Sequence, residues 1–127
     1  MKNKKLMLAI ADMIEKKPDE SVDMGTVMND CGSAGCILGW GVHDGIIEGY
    51  NLYNREGYFQ KNGSKNLFDF EDLAVKLFNI PSSTAYTLFT QSDQVGNSPK
   101  DLAYRLRRFV ESAGADLCDI QGYFLQD

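Results

Sequence analysis

The sequence predicts a mainly α-helical fold, a compact bundle of about five helices carrying one small β-hairpin, as a single domain. Three observations predict it. Apolar residues recur at helical spacing in several segments, and capping residues or prolines punctuate those segments. One Asn-Gly pair, Asn62-Gly63, sits between aromatic-rich runs and marks a hairpin. No internal repeat, linker or low-complexity stretch divides the 127 residues.

Leu6, Met7, Ile10, Met13 and Ile14 define an amphipathic helix over 3–17, ended by Pro18. Residues 21–29 fit a short helix or an extended segment equally. Ser33 is then an N-cap candidate for a helix over 34–48, with Cys36, Ile37, Trp40, Ile46 and Ile47 turned inward. Gly35, Gly39, Gly41, Gly45 and Gly49 burden that helix, since each interior glycine costs ~1 kcal/mol relative to alanine. Either a second backbone approaches closely along the glycines, or the helix is shorter than this span.

Residues 57–68 read as the hairpin, with Asn62-Gly63 supplying the positive φ angles of a tight turn. A lone hairpin is marginal in water, so it must lie on the helices. Asp69 caps the next helix, whose stripe is Phe70, Leu73, Ala74, Leu77 and Phe78. Pro81 breaks it, and Ser82 or Ser83 starts a short helix burying Ala85, Leu88 and Phe89. Ser98-Pro99 opens the last main helix, over 99–113, with Leu102, Ala103, Leu106, Phe109, Val110 and Ala113 inward and Gly114 as its stop. The tail, with Leu117, Ile120, Tyr123, Phe124 and Leu125, is apolar enough to dock back.

Composition narrows the class. No apolar run approaches the roughly 18–20 residues that cross a bilayer, so no membrane partner is expected. The basic start lacks an export-type apolar core and cleavage site, which points to the cytoplasm. Three cysteines without an export signal favour reduced thiols over a disulfide framework. The net charge of −5 argues against nucleic acid, and the one route to it is Arg105 and Arg108 on an outer face of the last helix. No Lys or Arg falls between Pro18 and Asn54, while Asp19, Glu20, Asp23, Asp30, Asp44 and Glu48 do. That stretch is a solvated acidic surface or a docking face for a basic partner.

The chemistry-bearing residues cluster in Cys31-Gly32-Ser33-Ala34-Gly35-Cys36-Ile37-Leu38-Gly39-Trp40, with the only histidine at His43. A thiol nucleophile at Cys31 or Cys36 needs a base and a depressed pKa. Asp30 opposes the second requirement, and along a continuous helix His43 lies ~10 Å from Cys36. Cys31, Cys36, His43 and Cys118 have the ligand types of a zinc site but not its usual spacing. The reading favoured here is a structural seam in which Cys31, Cys36 and Trp40 belong to a packing motif and Gly35 and Gly39 allow close contact. No metal and no cofactor are expected.

A separate candidate is recognition of a protein through the loop and hairpin. Tyr50, Tyr53, Arg55, Tyr58, Phe59 and Phe68, with Asp44 and Glu48 from the acidic stretch, have the composition of an interaction surface. The competing reading is that these aromatics cover the helical core.

The cysteine-tryptophan run resembles a scattered set of small bacterial and phage proteins with the pattern Cys-Gly-Thr/Ser-x-x-Cys-x-x-Gly followed by Trp or His. The similarity continues through Leu77-Phe78-Asn79-Ile80, the segment from Ala85 to Leu88-Phe89, and the Ser98-capped helix with Leu106. It spans roughly residues 24–112, the cysteine motif being its specific part, and the hairpin does not follow it. The resemblance implies a mostly helical fold and a bacterial or phage origin, and it carries no functional residue. By analogy with small acidic phage proteins, it implies a binder that blocks a host protein. The expected function is therefore stoichiometric binding to another macromolecule, most simply a protein. A thiol- or metal-dependent enzyme centred on Cys31, Cys36 and His43 is the alternative.

Overall fold

Met7, Ile10, Ala11 and Ile14 recur at helical spacing, and all four side chains are fully buried along one side of α1 (Lys4–Glu15). That side packs chiefly against α5 (Pro99–Glu111), whose Leu102, Ala103, Leu106 and Phe109 are buried in turn. The computed structural model describes residues 2–22, 36–53, 58–89 and 98–112. Its further elements, in chain order, are a 3-10 turn (Asp19–Ser21), α2 (Ile37–His43), β1 (Tyr50–Tyr53), β2 (Tyr58–Lys61), β3 (Leu67–Phe68), α3 (Phe70–Phe78) and α4 (Ser82–Phe89). The fold is mainly α with a small antiparallel sheet.

Caps set most helix boundaries. Asp69 accepts the N–H of Asp72 at 2.7 Å, and Ser98 accepts that of Asp101 at 3.2 Å, both as the sequence predicts. The predicted stripes of α3 and α4 are buried, Phe70 only partly. Asn79 ends α3 in the left-handed region at φ 52°. The start of α1 lies over this end of α3: Asn3 Nδ2 donates to Leu77 O at 2.6 Å, and the Lys2 N–H donates to Phe78 O at 2.8 Å. Carbonyls that a helix end leaves unsatisfied thus find donors from the start of another helix.

Two expectations are corrected. The helix over 34–48 is only Ile37–His43. Cys36 is its N-cap, and Ser33 lies outside the described residues. At the other end Gly45, at φ 77°, closes a Schellman turn: its N–H donates to Val42 O at 3.1 Å, and Ile46 N–H donates to Gly41 O at 2.9 Å. Of these glycines, Gly45 is thus a stop signal, while Gly39 and Gly41 remain inside the helix. Close approach is seen at Gly41, where a Cβ would come within 2.7 Å of Ile47 Cδ1.

The second correction concerns the sheet. The hairpin has a third strand, giving the antiparallel order β1-β2-β3. Tyr50 pairs with Lys61 and Tyr53 with Tyr58 on one side of β2, and Phe59 pairs with Phe68 on the other. The turn is closed by Ser64 N–H donating to Lys61 O at 3.2 Å, and Gly63 alone takes a positive φ, 73°. The predicted hairpin places β2 and β3. The strand that completes it comes from the stretch immediately after α2.

Candidate functional site

The cysteine-tryptophan motif is packed into the core. Cys36 is 5% exposed, and its Sγ accepts the N–H of Gly39 at 3.3 Å, so the thiol faces the start of its own helix. Trp40 is 6% exposed, with Nε1 donating to Ser21 O at 2.7 Å. Its ring carries the Lys17 ammonium 3.9 Å from the centroid and meets the His43 ring edge-on at 5.2 Å. Cys36 and His43 stand at opposite ends of α2, which keeps thiol and imidazole apart, as the ~10 Å helical offset requires. The His43 ring is half-exposed and shares a 3.1 Å contact with Asp44. Among the described residues, no group of three or more His, Cys, Asp or Glu is placed to hold a metal ion. Cys31, Gly35 and Cys118 lie outside the described residues.

Asp44 is held internally. Lys17 Nζ lies 2.7 Å from its carboxylate, joining the end of α1 to the end of α2. Burial alone would raise the Asp44 pKa, but the hydrogen bonds and charges of Lys17 and His43 outweigh it and hold the carboxyl below its ordinary value of 3.8. A depressed folded-state pKa adds stability that is fully present above pH 3.8 and lost as pH falls through the folded-state value. Asp44→Asn is expected to remove that part of the acid dependence. Urea denaturation of both proteins between about pH 3 and pH 6 checks it, since the two stability curves should converge at the acid end.

The outer face of Arg105 and Arg108, the one route the sequence left open to nucleic acid, is not formed by these two residues together. Arg105 is 1% exposed, not on an outer surface, and its Nη1 donates to Thr87 O at 3.3 Å and Leu88 O at 3.4 Å in the last turn of α4. Burial lowers its pKa and the charge of Asp101 opposes that shift. Arg107 pairs with Asp12 and Glu15 of α1, and Arg108 with Glu111 at 3.6 Å. The arginines of α5 thus serve largely to join helices.

Strand alternation sorts the predicted recognition residues into two sets. Tyr50, Leu52, Phe59 and Phe68 share the face packed on the core; Phe59 is fully buried, and the Tyr50 and Phe68 rings meet edge-on at 5.7 Å. Phe59, Tyr50 and Phe68 are therefore core-side residues and not part of an open binding face. Asn51, Tyr53, Tyr58, Gln60 and Leu67 share the opposite face. There Tyr58 is 41% and Leu67 42% exposed, while Tyr53 and Gln60 are half-buried. Glu48 is exposed ahead of β1, and Arg55 lies outside the described residues. Leu67 was not anticipated, although pairing across the Asn62-Gly63 turn would have placed it beside Gln60 and Tyr58.

Compared with protein-family models, curated proteins and solved structures, the chain matches none. Among the described residues, no helix is long and apolar enough to cross a membrane.

Proposed function

We propose that this protein acts by stoichiometric binding to another protein, through the outer face of its three-stranded sheet. One observation carries the reading: Tyr58 and Leu67, both more than two-fifths exposed, lie on one sheet face whose reverse buries Phe59 completely. A large aromatic and a large aliphatic side chain beside carboxamides make the mixed surface that interfaces favour, with the aromatic as anchor. A rigid sheet presents them at little ordering cost. The burial of Cys36 and the separation of its thiol from His43 weigh against the enzyme alternative. The resemblance to phage proteins extends the proposal to inhibition, in which covering a host protein's surface is itself the activity.

The combined variant Tyr58→Ala, Leu67→Ala is expected to keep its helical circular dichroism. It should capture a stoichiometric partner from bacterial lysate at least about tenfold less well than the unmodified protein, the loss of one or two interface anchors. Equal capture by both proteins, or no partner captured by either, overturns the proposal.

A further inference from the structure

The two edges of the sheet differ. β3 is two residues long and lies between Lys65 and Asp69, so charges flank it closely, as they flank many edges that natural proteins keep single. β1 is four residues, Tyr-Asn-Leu-Tyr, with no charge and no proline, and its register runs without a bulge. It has none of the features that usually stop an edge from pairing. The nearest charge before it is Glu48.

The register fixes which backbone groups this edge presents. Asn62 N–H donates to Gly49 O at 2.9 Å, so Gly49 and Asn62 are a hydrogen-bonded pair in line with the β1–β2 ladder. Antiparallel ladders alternate, so Asn51 and Tyr53 turn their backbone groups to β2, and Tyr50 and Leu52 turn theirs away from it. Lys61 N–H agrees with this, because it donates to Asn66 O at 3.3 Å on the β3 side and not to Tyr50. Among the described residues, no hydrogen bond reaches the outward N–H or C=O of Tyr50 or Leu52.

We infer that β1 pairs antiparallel with β1 of a second copy of this chain, about a two-fold axis through Asn51. In that register Tyr50 faces Leu52 of the other copy and Leu52 faces its Tyr50, and each pair exchanges both N–H···O bonds. The outward groups are placed symmetrically about Asn51, so the edge is complementary to itself. Asn51 supports the same occupant. Its Nδ2 donates to Asn62 Oδ1, which leaves, among the described residues, one N–H and Oδ1 unused. An identical carboxamide across the axis matches that donor and acceptor reciprocally. Charge agrees as well: in a chain of net charge −5, β1 is a neutral stretch where two copies meet without opposed carboxylates. Four residues a side is far below the roughly 20–30 of a stable interface, so the dimer is weak, with a Kd on the order of 0.1 mM. The inference goes beyond the binding reading and does not depend on it.

Sedimentation velocity of the full chain between ~10 μM and ~1 mM should show a monomer–dimer equilibrium. Amide hydrogen exchange over the same range tests the register. Exchange at Tyr50 and Leu52 should slow about threefold or more at the higher concentration, while Asn51, already bonded to β2, should change less. Asn51→Lys sets like charges opposite each other at the axis and should raise the dissociation constant at least about tenfold, with the circular dichroism unchanged. A chain that stays monomeric to ~1 mM, or exchange at Tyr50 and Leu52 that does not depend on concentration, overturns the inference. So does a dimer that Asn51→Lys leaves intact. A dimer lost instead with Tyr58→Ala, Leu67→Ala would place the contact on the outer sheet face and overturn it equally.

Discussion

Phe59→Ala is expected to cost about 3–5 kcal/mol of folding stability, whereas Tyr58→Ala, one residue earlier, should cost less than about 1 kcal/mol. Phe59 is fully buried on the core face of β2, between its register partners Leu52 and Phe68. Truncating it removes the largest apolar group by which the central strand is held to the helices, and leaves a cavity that Leu52 and Phe68 fill only in part. Tyr58 is 41% exposed on the opposite face, and its loss costs little packing. Urea denaturation of the two variants measures the difference directly. Similar costs for both would mean that β2 is shifted by one residue, because such a slip exchanges the two faces of a strand.

Arg105→Ala is expected to cost about 3 kcal/mol or more, and Arg105→Met roughly half of that. Arg105 is 1% exposed, and its guanidinium donates to the Thr87 and Leu88 carbonyls, at the end of α4 where helical partners run out. Its charge also complements the negative end of that helix. Alanine removes packing, hydrogen bonds and charge together; methionine restores much of the bulk and leaves the carbonyls without the guanidinium. The same denaturation experiment separates these contributions. Since apolar groups sometimes replace buried charges at no cost, a methionine variant as stable as the unmodified protein would show that Arg105 acts by packing alone.

Legibility from the sequence varied by element. The helices α1, α3, α4 and α5 were readable because their signals are local. Ser98 and Asp69 act on N–H groups three residues away, and Met7, Ile10 and Ile14 form one stripe by helical geometry alone. Arg105 was legible in principle: with Leu102, Leu106 and Phe109 it occupies a single helical stripe. Its charge argued for the surface, and only the neighbouring end of α4 provides the carbonyls that let it enter the core. The candidate site was half legible. The aromatic segment and the Asn62-Gly63 turn located it, but the strand β1 that fixes its register carried no turn signal, so Tyr50 and Phe59 were grouped with Tyr53 and Tyr58.

The sequence by itself determined a mainly helical chain, the stripes of four helices, the caps of two of them, and the place of the hairpin turn. These depend on interactions spanning a few residues, which periodicity and capping chemistry encode. Tertiary structure alone decided that α2 stops at His43, that β1 completes the sheet, that Arg105 and Cys36 lie inside, and that Tyr58 and Leu67 face outward. Each of these depends on a partner brought close by folding, and chain-local patterns do not specify which partner arrives.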